Sequence, residues 1–76
     1  QTCRVLAVED ELQVVVLDRG SDVGIRQGTH WTLVRDERVV ARLQVVDVRE
    51  SISAAIVVDG SFESVGPGVR LQYGKR

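Results

Sequence analysis

The side chains that could do chemistry in this sequence are few and scattered. His30 is the only histidine, so no histidine pair and no His–His–carboxylate metal site can be built. Beside Trp31 at the start of a β-rich run, it reads as a half-exposed strand residue. Its sharper use would be a pH-sensitive interface contact. Cys3 is the only cysteine, which excludes an intrachain disulfide, and nothing near it in sequence activates it as a nucleophile. Asp18, Asp22, Asp36, Glu37, Asp47 and Glu50 invite a paired-carboxylate or calcium reading. The run Asp18 to Asp22 lacks the acidic spacing and terminal Glu of an EF-hand loop, and turn capping and solvation account for these acids. The glycine-rich loop has no GxxxxGK signature and no following helix, so it is turn chemistry and not a phosphate cradle. The expectation is a non-enzyme with no catalytic residue, no metal ligand, no cofactor and no small-molecule substrate.

The elements that position these residues are strands. Sixteen valines against one each of Trp, Tyr and Phe favour a pleated, all-β chain. Cys3 to Val8 is a β-rich run that stops at the acids Glu9, Asp10 and Glu11, which suit an exposed turn. Leu12 to Leu17 resumes, with Leu12, Val14 and Val16 on one face and Gln13, Val15 and Leu17 on the other, so both faces are expected to be covered. Gly20, Gly24 and Gly28 recur every four residues. Each would cost a helix about 1 kcal/mol, so they are read as positive-φ turn positions. Val23 and Ile25 would plug the barrel end, while Ser21 and Asp22 accept backbone hydrogen bonds in the turn.

Thr29 to Arg35 is the next strand, Asp36-Glu37 a tight turn, and Arg38 to Val48 a strand long enough to bend or carry a bulge. Along it Val39, Ala41, Leu43 and Val45 make the core face. Val40, Arg42, Gln44 and Val46 make the opposite one. Arg49 to Ser51 turns the chain into a strand from Ile52 to Val58. Asp59 to Ser64 fits one helical turn capped by Asp59 or Ser61. Gly66-Pro67-Gly68 is a turn with Gly68 as another turn glycine, and Val69 to Tyr73 closes the sheet before a frayed Gly74-Lys75-Arg76. Six strands with short connections predict a compact antiparallel six-stranded barrel of SH3-like or OB-like size, a single domain over 1–76. A chain of this length buries only about 60% of its unfolded surface, and ring closure lets all strands share one core. The start without Met, inside a β-rich run, leads us to expect a segment of a longer protein.

Ten basic and eleven acidic residues leave no field to recruit a polyanion, and no apolar run approaches the ~20 residues of a membrane span. An oligonucleotide-binding barrel is the alternative, with Arg26, Arg35, Arg42 and Arg70 as its best contacts. It would have only Trp31, Phe62 and Tyr73 for stacking, and acids interleave the arginines.

From residue 20 to 69 the pattern is a GSxxGIxxG loop (Gly20, Ser21, Gly24, Ile25, Gly28). A long apolar strand with Ala41, Leu43, Val45 and Val48 follows, then Ser53, Ala54 and Ile56, and a closing Gly66-Pro67-Gly68-Val69. It resembles the small β-barrel modules of bacterial envelope assembly proteins, including the C-terminal barrel of the flagellar H-ring assembly protein and the MreC-type barrels. Ala41 stands where those modules often carry Gly, and Pro67 or Val69 stands in place of the usual Asp after Gly. The resemblance implies a non-catalytic interaction or assembly module in the periplasm or at the cell surface. It would bind other protein domains or copies of itself; an accessory domain of an envelope enzyme is a further reading. The partner face expected is Val40, Arg42, Gln44 and Val46, joined by Trp31, and the edge of a partly open barrel would accept a partner strand.

Overall fold

Runs of β-branched residues broken by acids and glycines form six antiparallel strands in the computed structural model, which describes residues 1–74. They are β1 (Thr2–Glu9), β2 (Val14–Leu17), β3 (His30–Arg35), β4 (Arg38–Val48), β5 (Ser53–Gly60) and β6 (Arg70–Gly74). The order around the sheet is β1-β2-β5-β4-β3-β6, and β6 pairs with both β3 and β1 to close the ring. Every strand therefore has two neighbours. The partly open barrel expected is instead a closed ring, and the free edge is reduced to the upper parts of β1 and β3, because β6 pairs only with Thr2–Arg4 and His30–Thr32.

Four irregularities bend the strands into a ring. Leu6 on β1, Val40 and Val46 on β4, and Val58 on β5 are each an extra residue between successive cross-strand pairs. The expected bulge in the long strand β4 is thus present twice. It also explains one reversal. An extra residue flips the side-chain parity beyond it, so Val39 is 53% exposed while Val40 packs against the core. Ala41, Leu43 and Val45 point inward as expected.

The core is one cluster: Cys3 and Val5 from β1, Val15 and Leu17 from β2, Trp31 and Leu33 from β3, the three β4 residues, Ala55 and Leu71. Trp31 is its largest fully buried side chain, not the partner-face residue expected, and meets Tyr73 edge to face with ring centroids 6.0 Å apart. A 3₁₀ turn closes each end. Ser21–Val23 leads to buried Ile25, while Phe62–Ser64 leads to buried Val65 with Phe62 packed beside it. Ile25 is therefore a plug, whereas Val23 is 50% exposed.

Several local expectations shift by a few residues. Leu12 is 75% exposed in the β1–β2 turn, where Gln13 takes φ 56°, so β2 starts at Val14. Ile52 lies in the turn before β5, and Asp59 and Gly60 extend that strand. Gly74 pairs with His30 and belongs to β6, while the rest of the expected frayed end lies outside the described residues. Asp36 and Glu37 both have left-handed φ (51° and 64°), the two-residue hairpin geometry that follows strand twist.

Gly24, Gly28 and Gly68 hold positive φ as expected (88°, 94° and 88°), but Gly20 does not: its φ is −142°. Gly20 is required for space. A Cβ there would lie 2.4 Å from the Arg49 carbonyl oxygen and 2.6 Å from that of Glu50. That close approach lets the Ser21 and Asp22 amides donate to those same two carbonyls, at 2.9 Å each. The loop is thus tied by main chain, and neither the Ser21 nor the Asp22 side chain caps the turn.

Candidate interaction face

The β4 residues expected to meet a partner do not stay together. Val40 is drawn into the core by its bulge, and Trp31 is wholly enclosed, so neither offers a contact surface. Arg42 is half-buried, and its Nε is shut off from solvent with no hydrogen-bond partner. Gln44 and Val46 remain outward and half-exposed.

What surrounds Gln44 and Val46 is more apolar than β4 itself. Gln44 stands opposite Ile56 on β5, and Ile56 stands opposite Val14 on β2. One pleat along, Ala54 faces Val16, which in turn faces Ala7 on β1. Val14, Val16, Ala54, Ile56 and Val46 are all half-buried, and none packs against the core cluster. Their strand neighbours Val15, Leu17, Ser53 and Ala55 are the ones that point inward. Across β2 and the first half of β5 the outer surface therefore carries no charged side chain. This is unusual for a small barrel, whose outward positions meet water. The signal was in the sequence. VVVL and SAAIVV are apolar at both parities, which marks a strand covered on two sides.

Chemistry elsewhere is sparse. Cys3 is 2% exposed, and burial, aided by the Asp18 charge, pushes its thiol up to about 12 against a weaker opposing pull from Arg19. It holds its proton at neutral pH and is no nucleophile. Among the described residues no three His, Cys, Asp or Glu side chains gather as a metal site. The arginines considered for nucleic acid are dispersed. Arg26 is exposed in the β2–β3 loop, Arg35 donates to the Ser64 carbonyl at 3.2 Å, and Arg70 stands on β6 opposite Arg4. Tyr73, 52% exposed, is the one aromatic ring with substantial free surface.

No protein-family model, no curated protein and no solved structure matches this chain.

Proposed function

We propose that this barrel is a non-catalytic protein-interaction module that docks through the outer face of β2 and β5, extended by Val46. The observation that carries the reading is the uncharged row Val14–Ile56 and Val16–Ala54, apolar on the solvent side of a core that is already complete. Continuous apolar surface on a small domain marks a partner site. Closure of the ring supports a contact made by side chains on the face over strand addition. The likeness of the GSxxGIxxG loop to envelope-assembly barrels supports a setting in the bacterial periplasm or at the cell surface.

The test is site-specific photo-crosslinking in cells producing the protein, with the probe at position 56 and, separately, at position 72 on the outer side of β6. Discrete protein adducts from 56, absent from 72 and lost when Val16→Glu is added, are expected. Adducts of the same pattern from both positions, or none from 56, would overturn the assignment.

A further inference from the structure

The two ends of the barrel differ in charge. β1, β3 and β5 run toward one end, where the turn after β1 supplies Glu9, Asp10 and Glu11. The turn after β3 adds Asp36 and Glu37, the end of β5 adds Asp59, and the 3₁₀ turn that follows adds Glu63. Ser61 Oγ donates to Glu63 Oε1 at 2.8 Å and holds that carboxyl below its ordinary range. Among the described residues only Arg35, Arg38 and Arg42 stand in that half, and Arg35 is engaged with the Ser64 carbonyl.

The other half has the opposite character. Its acids are Asp18, Asp22, Asp47 and Glu50, and two of them are occupied locally. Asp47 pairs with Arg49 at 3.4 Å, and Asp18 Oδ1 accepts the Arg4 backbone N–H at 2.8 Å. Arg4 and Arg70 stand directly opposite each other across β1 and β6, both exposed. Arg19 Nε donates to the Thr2 carbonyl at 3.2 Å and completes a depression of about 110 Å³ on that seam, lined by the three arginines and by Asp18, whose Oδ1 is taken up by the Arg4 backbone N–H. Like charges opposed across an antiparallel pair are destabilising, and among the described residues no carboxylate forms an ion pair with any of the three.

We propose that the barrel associates head to tail with a second copy of itself, the Glu9–Asp10–Glu11 turn of one copy seating its carboxylates on the Arg4–Arg19–Arg70 cradle of the next. Complementarity selects this occupant. Three consecutive exposed acids form the tip of a hairpin. Glu9 Oε1 accepts the Leu12 backbone N–H at 2.7 Å, so Asp10 and Glu11 are the freer carboxylates, and the cradle has room for one or two at a time. Guanidinium forks match carboxylates in bidentate fashion. A long polyanion would meet the acidic half of the same molecule, whose chain carries a net charge of −1. A head-to-tail contact is heterologous, so it builds a ring or a filament. It uses a different surface from the β2–β5 face, and the two proposals stand or fall separately.

Sedimentation velocity of the 76-residue chain tests it, at an ionic strength of about 0.01 M, where charges are felt over ~30 Å, and at about 1 M, where they fade within ~3 Å. At low salt the mass should rise with concentration, and association should weaken at least ~10-fold in high salt. Arg4→Glu/Arg70→Glu, with two acidic ends, should be monomeric. So should Glu9→Lys/Asp10→Lys/Glu11→Lys, with two basic ends. Mixing the two should restore assembly. Circular dichroism checks folding, and if the reversal variants do not fold, Arg4→Gln/Arg70→Gln with the salt series decides.

A wild-type monomer throughout at low salt, or failure of the mixture to assemble, would overturn the proposal. So would a salt-sensitive shift of a thymidine oligonucleotide without self-association. Assembly that persists at about 1 M salt and is lost in Ile56→Glu would belong to the apolar face. That result would refute the head-to-tail contact and support the interaction face.

Discussion

Each end of the barrel is closed by a three-residue 3₁₀ turn that leads one apolar side chain into the core, but the two closures are held by different parts of the chain. At the Ile25 end the main chain does the holding, through the amides of Ser21 and Asp22 on the carbonyls of Arg49 and Glu50. At the Val65 end side chains do it. The Arg35 guanidinium reaches the Ser64 carbonyl, and Ser64 Oγ donates to the Ser61 carbonyl at 2.6 Å. β6 is short and leaves the upper parts of β1 and β3 unjoined, so this second closure also fills a gap in the wall. A main-chain seam depends on the absence of atoms, so it suffers when something is inserted. A side-chain seam suffers when something is removed.

The largest expected effect follows from insertion. Gly20→Ala places a methyl against two carbonyls at 2.4 and 2.6 Å and should cost about 3 kcal/mol or more in urea unfolding. A cost within about 0.5 kcal/mol of zero would show that the seam is slack. Ile25→Ala should cost about 2–4 kcal/mol by leaving a cavity. Val65→Ala should cost less, about 2 kcal/mol, because it removes fewer methyl groups. The reverse order would mean that the gap-filling end carries more of the stability.

An alkaline effect comes next. The Cys3 thiol ionises near its ordinary 9.0 in the unfolded chain but only at about 12 in the fold. Above pH 9 the unfolded state releases this proton first, so rising pH favours unfolding, by up to about 1.4 kcal/mol per pH unit. Comparing wild type with Cys3→Ala between pH 8 and 10 isolates the effect, since the variant should lack this part of the slope. The smallest pair sharpens the comparison of the ends. Gly24→Ala, with φ 88° and nothing within 4 Å, should cost about 1 kcal/mol through backbone strain alone. Arg35→Ala should cost about 1 kcal/mol through its lost hydrogen bond.

What could be read in advance divides along similar lines. Strand number, the Asp36–Glu37 turn and the extent of β4 follow from alternation and turn chemistry, which are local. The role of Gly20 was misread because sequence spacing made it look equivalent to Gly24 and Gly28. Only the fold reveals that Arg49 and Glu50 lie against it. The candidate face was misplaced for a related reason. Parity along β4 could be counted, but a bulge at Val40 inverts it, and nothing in RVVAR marks where an extra residue falls. The apolar outer row across β2 and β5 needed the β2–β5 pairing, which joins strands with β3 and β4 between them in sequence. Trp31 defeated the expectation by size, since a ring so large fits the axis of so small a barrel.

The strand order has a consequence for how the molecule comes together. Hairpins β1–β2, β3–β4 and β4–β5 join neighbours in sequence, whereas β2–β5, β3–β6 and β1–β6 span long loops and must wait for them. The ring can lock only once β6 has been made, and β1 must be held until then. Cys3 lies on that last seam, paired with Leu71 and shielded from water. Its reaction with a disulfide reagent therefore clocks the opening of the ring. A labelling rate that tracks global unfolding would mean the seam parts only when everything does, and a faster rate would reveal a barrel that breathes along β1 and β6.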